Sequence, residues 1–378
     1  MNPRTRPYAY AMPAGLILVA GLACLAAGCG ESRDQHVRED RIASMLPLAP
    51  QKSIRIETRT ADVHIVPSPD DTIRVLTVKR VQSMSERSVE ALWKQIRVTV
   101  ERSGDELILR VREPERGTSH VTVEAGPWRL RRRVEIEVTV AVPLGHPVSF
   151  LTEKGDVDAR DLKQDLQLDM SSGDAEVSDL IGGELHVQST AGDVTVQRVH
   201  QPVFVRTTAG DVDAEDLLGP VTVRATSGDV SVHRVQGRIA VETSTGDADI
   251  VDGNGNVMVT TSSGDVTVRA RADSLVVETS AGDQDLALSG AAKFASAKSS
   301  SGTIELMIPK GSGGTLDVQT ATGAMSIANA VQIGTMTRNH FTGDLGGSGQ
   351  TLVRTSSGDI RLTAGGPAPP APVEGDKP

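Results

Sequence analysis

Eight aspartates each follow a glycine at a nearly constant interval: Asp156, Asp174, Asp193, Asp211, Asp229, Asp247, Asp265 and Asp283. Four of these sites read Asp-x-Asp: Asp156/Asp158, Asp211/Asp213, Asp247/Asp249 and Asp283/Asp285. Carboxylates are hard oxygen donors, and a stacked row of them would carry like charge that calcium could relieve. Asp211, Asp213, Asp247, Asp249, Asp283 and Asp285 are therefore the candidate calcium ligands. The competing reading needs no ligand. Glycine supplies the positive φ of a tight corner, and an aspartate there accepts nearby backbone N–H groups. On that reading Gly173-Asp174, Gly192-Asp193, Gly210-Asp211, Gly228-Asp229, Gly246-Asp247, Gly264-Asp265 and Gly282-Asp283 are structural turns. The Gly-Gly-x-Gly-x-Asp nonapeptide of calcium-binding β-rolls is absent, so no metal is assigned and the turns are read as structural.

Other chemistries find little support. There are only two cysteines, Cys24 and Cys29. Both lie in or beside an N-terminal apolar segment, so the rest of the chain has neither thiol nor disulfide. The histidines (His36, His64, His120, His146, His186, His200, His233 and His340) show no metal-ligand spacing and read as surface residues. No Gly-x-Ser-x-Gly elbow occurs, and "GDLGGSGQT" (343–351) lacks the lysine and the strand–helix context of a phosphate loop. The sequence suggests no catalytic residue and no cofactor. Aromatic residues make up only 2% of the chain, so there are few flat rings to stack on sugars or bases.

The elements that must position the aspartates are short strands. From residue 148 the turn glycines fall at 155, 173, 192, 210, 228, 246, 264 and 282, with looser copies at 302, 323, 343 and 358. A fixed short period of this kind indicates a repeat architecture. In "VTVRATSGDVSVHRV" (221–235), Val221, Val223, Ala225 and Ser227 share one parity, and beyond the Gly228-Asp229 corner the apolar parity switches to Val230 and Val232, which returns the chain with the same face inward. The small residue before each glycine (Ser172, Ala191, Ala209, Ser227, Thr245, Ser263, Ala281) is expected to face inward. A second corner follows about nine residues later, as in "LIGG" and "LLGP". A β-solenoid closes such coils on themselves, whereas a meander of this length needs a covering layer that the chain lacks. Twelve coils at the β spacing would make a rod on the order of 50 Å long. Asp179, Arg198, Asp216, Arg234 and Asp252 alternate in sign at equivalent positions and predict an acid–base ladder. Thr190, Thr208, Thr226, Ser244, Ser262 and Ser280 predict an outward row of hydroxyls.

Ahead of the repeat, residues 52–147 alternate with period two and read as strands. Within them, 85–96 carries Val89, Leu92, Trp93 and Ile96 on one helical face. That helix and the degenerate last coils are expected to cap the solenoid of 148–364 and stop end-to-end stacking. The basic run "WRLRRR" (128–133) reads as a solvated loop or a charged edge that protects a strand, with contact to a polyanion as the alternative.

The N-terminus reads as a targeting segment. Arg4 and Arg6 precede the apolar run 14–28, too short for a comfortable membrane span. "LAAGC" resembles the lipobox of bacterial lipoproteins, with Ala26 where a larger aliphatic residue is commoner. The resemblance implies a signal peptide over 1–28, cleavage before Cys29 and acylation of that cysteine, and Gly30 after it implies the outer membrane. Acyl chains anchor through about 0.8 kcal/mol per buried CH₂. Losing Arg4 and Arg6 removes two of 39 basic residues, which against 49 acids leaves a net charge of −12. Nucleic acid is a poor partner for such a chain. Residues 29–51 read as a flexible tether and 365–378 as a disordered Pro-rich tail.

The stretch "VEIEVTVAVPLGHPVSFLTEKGDVDA" (134–159), with Val142-Pro143 before the first Gly-Asp, and the repeated "SGDV" turns together resemble a bacterial β-strand-repeat family of unknown function that carries an adhesin label. The resemblance covers roughly residues 52–363 and implies an envelope-associated β-solenoid, with no catalytic residues to carry over. The expectation is an all-β, non-enzymatic, lipid-anchored envelope protein. It would meet the membrane through its lipid and present an adhesin-like surface to a protein or glycan. The alternatives are a scaffold or sensor partner in envelope-stress signalling and, behind it, a β-helix enzyme acting on polysaccharide.

Overall fold

The structure, a computed structural model, describes residues 36–83, 85–114, 121–125, 128–309, 312, 314–329 and 332–365. Cys29, the apolar N-terminal run, the tail beyond 365 and the side chains of 128–133 lie outside the described residues.

The chain winds as a β-solenoid of two long, largely parallel sheets. Each regular coil contributes one strand to each sheet, such as Val221–Ser227 to one and Val230–Val235 to the other. Strands stack on their equivalents in register, with Val221 opposite Val203 and Ile239. The two inner faces meet in a continuous core of Val, Ile, Leu and Ala, in which Val223, Val232, Val241 and Ile250 are each 2% exposed or less. That core is narrow because the coils are short, and few large rings enter it; Phe150 and Phe341 do.

The third bend of a regular coil comes from Asp161, Asp179, Arg198, Asp216, Arg234 and Asp252, all left-handed with φ between 52° and 60°. This conformation is uncommon outside glycine. It lets the next residue point inward: Leu162, Leu180, Val199, Leu217 and Val235 follow it and are fully buried. The charges at these positions thus sit where backbone geometry calls for a polar, unbranched residue.

Both ends depart from simple repetition. Ser53–Thr58 and Asp62–Pro67 form the first coil, stacked directly on the coil of Val148–Thr152 and Val157–Arg160. Beyond it, one sheet continues through Trp128–Val142, Thr72–Ser83 and His36–Pro47. The other continues through Glu106–Arg112 and Arg97–Ser103. The expected tether therefore differs from the structure at His36–Pro47, which is a strand. The helix Glu86–Trp93 packs on Thr72–Ser83 and His36–Pro47 with Val89 and Leu92 buried.

At the far end the order of coils is not the order of sequence. Gln350–Ser357 lies between Phe294–Ser301 and Thr315–Thr322, and Ile360–Ala364 lies between Ile304–Ile308 and Met325–Ala328. The last coil of the chain is thus the penultimate coil of the rod. Gly343, expected as a corner, instead sits in His340–Asp344, which with Gln332–Met336 forms an antiparallel hairpin on the end of one sheet. Twelve coils remain, with Ser53–Pro67 supplying one and Gly343 none.

Candidate functional site

The Gly-Asp corners form one straight row, and their chemistry is hydrogen bonding along the rod. The Asp229 carboxylate accepts the backbone N–H of Asp247 at 2.8 Å, and Asp211 accepts that of Asp229 at 2.8 Å. The same bond recurs from Asp62, which accepts the Asp156 N–H at 3.1 Å, through Asp283, which accepts the Thr303 N–H at 2.7 Å. After the displaced coil, Asp359 accepts the Ala324 N–H at 2.9 Å. Flanking backbone bonds tie each corner to the next, as Gly228 N–H donates to Thr245 at 3.2 Å and Val230 N–H to Asp247 at 2.9 Å. Each carboxylate thus caps a donor that the corner would otherwise leave unpaired.

The glycines are required twice over. Gly228 has φ of 118°, and a Cβ built there would stand 2.2 Å from the Gly210 carbonyl oxygen. Gly192, Gly210, Gly246, Gly264 and Gly282 meet the preceding coil in the same way at 2.1–2.2 Å, and Gly173 does at 2.3 Å. The corner backbones therefore touch, which no side chain permits.

The ends of the row explain themselves. Ala324 occupies the aspartate position of its coil and offers no acceptor to a following one, so that coil suits the terminus of the stack. At the opposite end the first corner reads Ala61-Asp62, and no earlier carboxylate precedes it. Buried Glu113 takes that place. Its carboxylate accepts the N–H groups of Arg59, Thr60 and Ala61 at 3.2, 3.0 and 3.1 Å. It also accepts the Thr58 hydroxyl at 2.7 Å and the Thr60 hydroxyl. Burial raises the Asp62 carboxyl above its ordinary value, against the lowering effect of its bond to the Asp156 N–H.

The small residues before the glycines do not face inward as expected. The backbone turns outward after Ala225, so Thr226 and Ser227 both face solvent, as do Thr208-Ala209 and Ser244-Thr245. The inward place beside the corner belongs to a row of hydroxyls two residues earlier: Ser189, Thr207, Thr243 and Ser299 are buried. Their hydroxyls donate to the carbonyls of Ala191, Ala209, Thr245 and Ser301 at 3.0–3.3 Å. The outward row of Thr190, Thr208, Thr226, Ser244, Ser262 and Ser280 is exposed as expected.

The left-handed corners carry the alternating charges, but as separate pairs. Arg198 grips Asp179 bidentately at 2.7 and 2.8 Å. Arg234 reaches Asp216 at 2.6 Å and also bonds Glu215. Hydrogen bonds from these arginines hold the Asp179 and Asp216 carboxyls below their ordinary value. A shallow groove of about 770 Å³ runs along this row, with the exposed Ile181 and Leu218 on its other bank.

Two histidines take part in networks that spacing did not reveal. His64 lies between Glu137 at 3.3 Å and Asp158 at 3.2 Å, and His340 bonds Asp317 at 3.0 Å. Parallel stacking brings Glu137 and Asp158 to either side of His64, and the antiparallel pairing of His340–Asp344 with Thr315–Thr322 brings His340 to Asp317. Among the described residues, no group of three or more His, Cys, Asp or Glu side chains is placed to hold a metal ion.

The fold and its row of carboxylate-capped corners define a class, a two-sheet β-solenoid built from Gly-Asp coils. The chain belongs to the Toastrack DUF4097 family, which it matches over residues 51–274 and 253–363. It is similar to a candidate adhesin from Parabacteroides distasonis, at 10% identity over 86% of this chain and 97% of that one, with a TM-score of 0.32. It is also similar to a candidate cell adhesion protein from Clostridium sporogenes, at 9% identity over 86% and 100% of the two chains, with a TM-score of 0.21. A candidate lipid-binding protein from Parabacteroides distasonis aligns at 10% identity over 86% and 96%, with a TM-score of 0.24. No curated protein matches the chain.

Proposed function

We propose that this protein is a non-enzymatic, lipid-anchored component of the bacterial cell envelope, tethered through Cys29 to the outer membrane, whose rod presents an adhesin-like interaction surface. The observation that carries the reading is the corner row. The corner aspartates that could have done chemistry each commit a carboxylate oxygen to a backbone donor of the next coil, and Asp285 is paired with Arg269 at 2.8 Å. What is left for recognition is the regular outward faces of two sheets, suited to a protein or glycan of the envelope. No helix among the described residues is long and apolar enough to cross a membrane. In this reading the acyl chains on Cys29 supply the attachment.

Growth of the native host with a clickable fatty-acid analogue tests the anchor. The wild-type protein is expected to be labelled and to fractionate with outer membrane, and Cys29→Ala to be unlabelled and released. Label on Cys29→Ala, or a soluble wild-type protein, would overturn the anchoring. A deletion strain is expected to lose surface attachment, and catalytic turnover of any envelope glycan by the purified protein would contradict the non-enzymatic reading.

A further inference from the structure

Phe204 stands apart from the other described phenylalanines. Phe150 and Phe341 are buried and Phe294 is half-buried, whereas Phe204 projects from the outer face of its sheet with 38% of its surface exposed. It contributes nothing to the core there. Leaving an aromatic ring on a flat sheet face forfeits the burial that would stabilise it in a core. One side of the ring is covered by His186, its in-register neighbour, stacked at 4.7 Å between centroids and 13° between planes. The in-register neighbour on the other side is Thr222, too short to cover a ring face.

The surroundings are planar and polar. Beside Phe204, in the next outward column, lie Gln188, Arg206 and Arg224, in register at successive coils. Together with His186 and Thr222 they line a shallow groove of about 350 Å³ running along the rod, a size within the ordinary range of ligand sites. Arg224 is engaged by Glu242 at 3.1 Å, and His186 is bonded by Glu184 at 3.2 Å. Asp169, at the groove's lower edge, accepts from Gln167 at 2.8 Å. Arg206 is exposed and has neither ion pair nor hydrogen bond among the described residues, while most arginines along the two sheets are paired. An arginine fork recognises a carboxylate through two parallel hydrogen bonds.

We propose that this groove is a binding site for an acidic polysaccharide of the uronic-acid type. The free face of Phe204 takes the apolar face of a pyranose ring, Arg206 takes its carboxylate, and Gln188 meets its hydroxyls. The groove follows the rod axis, so a polymer can run along it. The negative balance of the chain, −10 over its whole length, repels a general polyanion. The contact is therefore confined to the place where Arg206 and Arg224 lie side by side and an aromatic face adds affinity that charge alone does not supply. This inference deepens the adhesin-like reading and rests on it. It is independent of the lipid anchor, so failure of sugar binding would leave Cys29 labelling intact, and the reverse.

The test uses the full mature protein in detergent, titrated calorimetrically with oligogalacturonate, with neutral dextran oligomers and with polyglutamate. Saturable binding to oligogalacturonate alone is expected. Phe204→Leu keeps the apolar volume and removes the ring, and is expected to weaken binding about tenfold or more, as loss of a stacking platform does; Phe204→Tyr should retain it. Arg206→Gln should abolish discrimination between oligogalacturonate and dextran. Met258→Ala, an exposed apolar change two coils from Thr222 in the same column, should bind as wild type. Because all these side chains are outward, unchanged melting temperatures are expected and show that each variant is folded. Equal binding to polyglutamate, undiminished binding in Phe204→Leu, or no binding of oligogalacturonate would each overturn the proposal.

Discussion

Glu113→Ala should be among the most damaging substitutions of a charged residue in the chain. The Glu113 carboxylate is 9% exposed and serves three backbone N–H groups and two hydroxyls at the first corner. Ala61 itself is fully buried, so its N–H would have only the Thr58 hydroxyl at 3.1 Å left to it. The Arg59 and Thr60 donors would turn to water at a part-buried site. An orphaned buried donor costs about 1–3 kcal/mol, and bonds to a charged acceptor lie at the upper end. The buried Thr58 hydroxyl, which loses its acceptor, bears one such loss in full and the three backbone donors bear it in part, for a destabilisation of about 2–5 kcal/mol. Glu113→Gln keeps a carbonyl oxygen in place of the charged acceptor and should cost about 1 kcal/mol. Urea unfolding followed by circular dichroism reads both, with amide exchange at residues 53–67 showing whether the first coil frays before the rest, as repeat proteins allow. If Glu113→Ala falls within about 0.5 kcal/mol of wild type, an ordinary surface value, Glu113 does not terminate the corner row.

Four other expectations follow from the corners. Gly228→Ala adds backbone strain to a contact with the Gly210 carbonyl and should cost about 3 kcal/mol or more; Gly104→Ala, at φ of 59° but with nothing within 4 Å of its Cβ, should cost about 1–2 kcal/mol. Arg234→Asp should melt below Arg234→Asn, since both residues tolerate the left-handed backbone and only the first adds charge beside Glu215 and Asp216. At these exposures the difference is about 0–1 kcal/mol, and equal melting temperatures would remove the charge-pair argument. Because Arg234 lowers the Asp216 pKa, its stabilisation is fully present above the ordinary aspartate value near 4 and is lost as pH falls through the lower folded value. Thermal melts of wild type and Arg234→Asn should therefore converge in acid. Melting in calcium and in chelator should coincide, and a calcium-dependent rise would restore Asp211, Asp213, Asp247, Asp249, Asp283 and Asp285 as ligands.

Much of the fold is legible in the sequence because a solenoid repeats its signal. Period-two alternation across Gly228-Asp229 places both strands, and the 18-residue spacing places each coil on the last. What escapes are features that depend on neighbours distant in sequence. The first coil is disguised because Ala61-Asp62 lacks the glycine, although "TADV" keeps the rest of the corner. The displaced last coil has no local signal: Ala324 lacks the capping aspartate, but so does Thr303, on whose coil Gln350–Ser357 and Ile360–Ala364 stack, and nothing in the periodicity betrays the crossing. Glu113 has none, since it reaches the corner only after Glu106–Arg112 pairs with Ser53–Thr58. The inward direction assigned to Ser227 fails for a local reason: alternation does not extend through a corner where two successive residues face out.

The corner aspartates are a structural row. Amide hydrogen exchange by NMR at Asp211, Asp229, Asp247 and Asp265 tests it most directly. These residues are exposed, yet each N–H donates to the preceding carboxylate at 2.7–2.8 Å. Strong protection is expected at all four, with Asp229→Ala selectively releasing the Asp247 amide. Exchange at unprotected rates in the wild type, or no change at Asp247 in that variant, would contradict it.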